Sequence, residues 1–106
     1  MEVKESFIKH QGQTTPYPLG LEVASASGMY ITDTSGKRYL DLVAGVSACT
    51  IGHCHPRVVN AIQDQTSKYM HVMVYGEFIQ EPQLELAKKL ASLLPDTLNS
   101  TYFVNS

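Results

Sequence analysis

The rhythm of apolar and polar positions changes repeatedly along this chain, and each change marks a different kind of backbone. Residues 1–20 keep no rhythm. Gly12, Pro16, Pro18 and Gly20 interrupt a polar stretch, a composition that suits an arm lying over another surface rather than a self-supporting element. From Leu21 short β-prone runs take over: "LEVASA", a Ser27-Gly28 turn, "MYITD", the polar turn "TSGK" and "RYLDL". They predict a three-stranded antiparallel meander. Asp33 can bond its own backbone and Gly36 can take a positive φ without strain, so the loop between the second and third runs has the chemistry of a tight turn.

Past Gly45 the chain is irregular as far as His55, and then the period lengthens. Pro56 stands where a helix begins, because its missing N–H costs nothing in the first turn and its φ is already helical. Val58, Val59, Ile62, Thr66, Tyr69 and Met70 recur at three- and four-residue spacing, which predicts an amphipathic helix over about 56–70. "HVMVYGEFIQ", residues 71–80, is apolar without a period and reads as an extended segment or a buried loop. Glu81 and Pro82 open a second helix with Leu84, Ala87, Leu90, Ala91 and Leu94 on one face. Lys88 and Lys89 lie near its negative end, and Pro95 stops it.

"TYFVNS", residues 101–106, then reads as the beginning of a strand buried on both faces, as in a parallel sheet. Such a strand is an unfinished object, since its backbone groups need neighbours that the sequence does not supply. The fold class is therefore α+β: an arm (1–20), an antiparallel meander (21–45), a loop with two amphipathic helices (46–100) and the first strand of something larger (101–106).

Composition and charge narrow the partners. Apolar residues at 43% and charged ones at 17% give an ordinary globular balance and exclude a disordered chain. The net charge is −2 and the basic residues are scattered, so no positive stripe exists for nucleic acid or anionic lipid. The first ten residues lack the apolar core of a signal peptide, and no apolar run is long enough to span a bilayer. A cytoplasmic location is the expectation, with no nucleic-acid or membrane partner.

Chemistry-bearing side chains crowd into one place. Cys49, His53, Cys54 and His55 lie just before the helix at Pro56. Structural zinc draws ligands from at least two clusters, whereas this is one, and adjacent residues of an extended loop point to opposite sides. No metal site is expected unless His71 or His10 joins it. The competing reading is structural: Gly52 permits an unusual backbone angle, and the histidines bond loop carbonyls or cap the helix. Two cysteines so close together read as reduced thiols.

The stretch "ITDTSGKRYLDLVAGVSACTIGHCHPRVVNAIQDQ" resembles the N-terminal region of the class III (subgroup II) aminotransferases, pyridoxal-phosphate enzymes of fold type I. The shared places are Asp33, Gly36, Tyr39-Leu40-Asp41, Gly45, Gly52-His53-Cys54-His55-Pro56, Val59 and Ala61-Ile62, and the likeness continues through "LELAKKLASLLP" to "YFVNS". It covers nearly everything from about Gly20 onward. It implies that residues 21–45 belong to a small domain and that residues 101–106 start a truncated large cofactor-binding domain.

For site residues the resemblance implies that Val46 and Ser47 face the substrate. Tyr75 falls near a substrate-facing tyrosine of ornithine-type relatives, or is simply a packing aromatic. Ser106 would begin the loop that holds the cofactor phosphate. No catalytic residue is assigned. The Schiff-base lysine of the family lies downstream, and Lys37, Lys68, Lys88 and Lys89 match no catalytic position.

The expected parent activity is transfer of an amino group between an amine or amino acid and a 2-oxo acid through pyridoxal 5'-phosphate. The pattern is nearest the acetylornithine, ornithine and 4-aminobutyrate types. The chain alone is expected to be inactive, to bind no cofactor and to self-associate, since family members are homodimers. A glutamate-semialdehyde aminomutase relative ranks second, and a stand-alone self-associating binding module is the reading of another class.

Overall fold

A computed structural model describes residues 3–73 and 75–105, and the chain divides between Lys68 and Tyr69 into two compact units. The first opens with helix α1 (Val3–His10), so the leading residues are not a featureless arm. Its ends have the charges a helix dipole favours, with Glu5 in the first turn and Lys9 and His10 in the last. Eight residues are too few to hold a helix by propensity. Val3 and Phe7 line an apolar crevice of about 380 Å³ with Leu21 and Val23, which gives α1 a surface to lie against. The irregular composition lies further on, between α1 and the sheet.

The sheet is the expected meander, order β1-β2-β3, with β1 (Val23–Ser27), β2 (Tyr30–Asp33) and β3 (Arg38–Leu40) all antiparallel. Ser27 pairs with Tyr30, leaving Gly28 and Met29 as a two-residue loop in which Gly28 takes φ +56°. At the other hairpin, Asp33 Oδ1 accepts from the amides of Ser35 (2.9 Å) and Lys37 (3.0 Å) and from the Ser35 hydroxyl (2.6 Å). Its Oδ2 accepts from the Tyr39 hydroxyl at 2.8 Å. These bonds hold the Asp33 carboxyl down at about 2, the Ser35 and Tyr39 hydroxyls first among the causes. Rings shelter cations on both sides of the turn: Arg38 lies 4.2 Å from the Tyr30 ring centre and Lys37 4.9 Å from that of Tyr39.

Beyond β3 a single helical turn, α2 (Ala44–Ser47), precedes the loop to His55, and helix α3 runs from Pro56 to Thr66. The helix is shorter than its apolar period suggests. Ser67 closes it, its amide donating to the Gln63 carbonyl at 3.3 Å and that of Lys68 to the Gln65 carbonyl at 3.0 Å, and Tyr69 and Met70 fall in the next unit.

That second unit has one helix, α4 (Glu81–Ala91), opened by Pro82 as its sequence requires. Residues 71–73 and 75–80 are neither strand nor buried: Tyr75 and Ile79 are 78% and 92% exposed. The segment is a loop that turns at Tyr75-Gly76, both at positive φ, and is tied by the Gln80 side-chain amide to the Met73 carbonyl at 2.8 Å. Residues 101–105 form no strand either. A strand is made by its neighbours, and among the described residues no strand is paired with this segment. Among the described residues no side chain is fully buried.

No helix among the described residues is long and apolar enough to cross a membrane.

Candidate functional site

Asp41 follows β3 directly, and its carboxylate organises what comes next. Its Oδ1 accepts from the amides of Val43 (2.9 Å) and Ala44 (3.0 Å), the short-range bonding by which an aspartate initiates a turn. Oδ2 lies 2.6 Å from Nε2 of His53, twelve residues later. The Asp41 side chain is only 7% exposed and that of His53 18%. The His53 hydrogen bond, then the two amides, hold the Asp41 carboxyl below the usual carboxylate range. The backbone ties the same two residues to the β1–β2 loop: Asp41 N–H donates to Met29 O at 2.8 Å. His53 N–H donates to Gly28 O at 2.8 Å, and Gly28 N–H donates back to His53 O at 3.0 Å.

That close approach explains Gly52. A Cβ there would sit 3.1 Å from the Gly28 carbonyl oxygen, and the residue stands at φ +88°. Glycine therefore satisfies both the angle and the space.

Between the two anchors lies α2, and its handedness is reversed. Ala44, Gly45, Val46 and Ser47 have φ of 51°, 60°, 57° and 65°, with ψ of 36° at Gly45 and 57° at Val46. Left-handed backbone costs an L-residue roughly 1–2 kcal/mol, and a β-branched valine is among the least suited to it. Ser47 N–H to Val43 O (3.1 Å) and Cys49 N–H to Ala44 O (2.8 Å) close the turn from within. The expected site residues Val46 and Ser47 are thus adjacent on a strained, tethered turn, with Val46 86% exposed.

Tyr75, the third expected site residue, belongs to the second unit. It also stands at a left-handed angle, φ +64°, and lines an open cleft of about 480 Å³ with Tyr102, Phe103, Val104 and Asn105. The "TYFVN" segment and the loop before α4 thus meet within one unit. Ser106, the expected start of the phosphate loop, lies outside the described residues.

Of the two histidines expected to bond loop carbonyls or cap the helix, His55 does the latter through its backbone alone and the His53 ring does neither. His53 bonds a carboxylate instead. His55 holds the N-cap position of α3 through its backbone carbonyl, which accepts from Val58 (2.9 Å) and Val59 (3.0 Å). Its ring makes no cap bond, and Nδ1 is enclosed without a partner. Cys49 and Cys54 are both free thiols. No three His, Cys, Asp or Glu side chains converge as a metal would need among the described residues.

Sequence reasoning did not single out Asp41 and His53 as a pair. The signal available was local: an aspartate at a strand end, two residues before a run that contains glycine, is a turn initiator.

The chain as a whole has counterparts among known proteins. The family model for class-III aminotransferases matches residues 11–106. The chain belongs to the class-III aminotransferases. It is 36% identical to the acetylornithine aminotransferase of Methanopyrus kandleri over the whole of this chain and 26% of that protein. The crystal structure of acetylornithine aminotransferase from Elizabethkingia anophelis superposes with a TM-score of 0.73 and 30% identity, covering 85% of this chain and 22% of that one. The omega transaminase of Pseudomonas jessenii, solved in complex with PMP, gives 0.73 and 25% identity over 90% of this chain and 22% of that one. The chain spans about a quarter of the length of these class-III relatives or less.

Class-III aminotransferases depend on pyridoxal phosphate. Of the lysines present, Lys37 lies over the Tyr39 ring, and Lys88 pairs with Glu85 at 2.8 Å on the exposed face of α4.

Proposed function

We propose that this chain serves amino-group transfer between an amine or amino acid and a 2-oxo acid, with pyridoxal 5'-phosphate as the cofactor of the complete enzyme. Its own contribution is the substrate side of the site. The observation that carries this reading is α2: four left-handed residues hold an aliphatic side chain out at 86% exposure, where the turn has no internal use for it. Strain kept in this way is a mark of functional loops. Val46 and Ser47 meet the amino donor. Tyr75, at its own left-handed turn, lines a cleft with residues 102–105 and also serves the substrate side, and Ser106 begins the phosphate loop.

Relatives named acetylornithine aminotransferase favour a donor of the acetylornithine or ornithine type. The complete enzyme works as a homodimer, which supplies cover for apolar side chains that the units leave outside, Leu42 and Ile79 among them.

The test is donor specificity in the holoenzyme that contains these residues. Val46→Phe narrows the space over the turn, so kcat/KM for a long acetylated diamine falls about tenfold, while a short amino acid loses no more than about threefold. Equal losses for both donors, or no transfer to any 2-oxo acid by the unaltered enzyme, overturn the reading.

A further inference from the structure

Nothing in the arrangement of Val46 and Ser47 explains why the turn that carries them stays left-handed. Three of its four residues have a Cβ, and the bonds that close it join Val43 to Ser47 and Ala44 to Cys49. Bonds of that kind close a right-handed turn equally well. What differs is the constraint at the two ends. Oδ1 of Asp41 takes both amides at the entrance, Val43 and Ala44, and thereby fixes the direction in which the chain leaves β3. Oδ2 of the same carboxylate takes His53 Nε2 from the far end of the loop. His53 is in turn clamped by paired amide–carbonyl bonds to Gly28, and Asp41 by its amide to Met29. Both ends are referred to the same two-residue hairpin loop.

We infer that Asp41 and His53 are positioning residues: the carboxylate–imidazole pair spans the loop, fixes the hand of the Ala44–Ser47 turn and so sets where Val46 and Ser47 stand against the amino donor. Neither side chain touches the donor. Asp41 at 7% exposure faces inward to the loop, and His53 spends its Nε2–H on Asp41. A pair kept only for stability gains little over apolar packing once its charges leave water. This pair instead joins two backbone segments, the turn at Val43–Ala44 and the loop at His53, at one carboxylate. The carboxylate is the part of the loop with a defined geometry for both amides and an imidazole. The inference rests on the placement of this turn beside the donor proposed above.

The experiment compares His53→Ala, His53→Gln and Val46→Phe in the holoenzyme containing these residues, each with KM and kcat for the amino donor and a thermal midpoint. His53→Ala should raise the donor KM about tenfold with kcat changed less than about threefold, because a lost hydrogen bond to a charged group misplaces binding contacts and not the reacting atoms. Glutamine keeps an N–H near the place of Nε2, so His53→Gln should recover most of that KM. If Val46→Phe moves KM and His53→Ala does not, the clamp is wrong and the donor-side reading stands. If neither moves it, the turn is not at the donor and both fall. If KM, kcat and the midpoint fail together in His53→Ala and His53→Gln alike, the pair is structural only and the inference is overturned.

Discussion

The two units are built on opposite terms. In residues 3–68 nearly every irregular feature is fixed by a polar bond with a direction: Asp33 gathers the β2–β3 turn, Asp41 gathers α2, and Gly28 and His53 exchange backbone bonds across the loop. Among the described residues of 69–105 the bond from Gln80 to the Met73 carbonyl is of that kind, but the large side chains are mostly apolar and outward. Tyr75, Ile79, Tyr102 and Val104 are each 70% exposed or more, and α4 has only Ala87, Leu90 and Ala91 half-buried. Directional bonds fold a segment without a core. An apolar surface folds only against another surface. The first unit should therefore carry its shape in its own residues, and the second should depend on what covers it.

The largest break in that comparison is Gly52→Ala. The new methyl group meets the Gly28 carbonyl at 3.1 Å, and alanine is strained at φ +88°. Backbone strain of this kind costs of order 1–3 kcal/mol, and the contact with a fixed carbonyl adds to it. The His53 and Gly28 amides should lose their protection from hydrogen exchange, and urea unfolding of the first unit should move to lower concentration. Gly28→Ala is the control, since Gly28 shares the positive φ but has open space around its Cβ position. Its loss should be the smaller of the two. Equal losses would mean that the close approach of the two glycines contributes nothing.

Why the meander, both proline-led helices and the Asp33 turn were legible follows from the same contrast. Each is written in a local code: Pro56 and Pro82 for helix starts, Asp33 and Gly36 for a turn, alternating runs for strands. The Asp41–His53 pair was not legible, because its partners are twelve residues apart and nothing in either residue's neighbours names the other. The left-handed hand of Ala44–Ser47 was hidden for a sharper reason. Three of its residues individually disfavour that conformation, so local preference points the wrong way and tertiary bonds decide. "TYFVN" shows the converse failure: a strong β preference gives no strand where, among the described residues, no strand is paired with it. In α1 the helix of Val3–His10 was obscured by the glycines and prolines further on.

Acid gives the next effect, and it too separates the units. Asp33 is held at about 2, against 3.8 for a free aspartate, and Asp41 is lowered as well. A carboxyl lowered on folding makes the unfolded chain bind protons first, so its contribution is complete above the free value and is lost as pH falls through the folded one. Between pH 4 and 2 the amides of Ser35, Lys37, Val43 and Ala44 should lose protection in turn. A titration followed by the carboxyl carbons should show Asp33 half-protonated near the lower end of that range, and Tyr39→Phe should raise it. A Tyr39→Phe midpoint equal to that of the unaltered chain would remove the hydroxyl from the account.

The smallest effect is expected at Leu90→Ala, on the apolar face of α4. A leucine enclosed on all sides costs about 2–5 kcal/mol on truncation, of which a large part is the cavity left behind. Leu90 is half-buried in this unit, so no closed cavity forms and only part of its transfer free energy is at stake. About 1 kcal/mol or less is expected by urea unfolding of the chain. The same substitution in the complete holoenzyme should cost several times more, because there the face is covered. A loss of 1 kcal/mol in both settings would mean that α4 never acquires a partner. A large loss in the chain alone would mean that the second unit holds a core of its own, and the contrast between the units would fail at its apolar end.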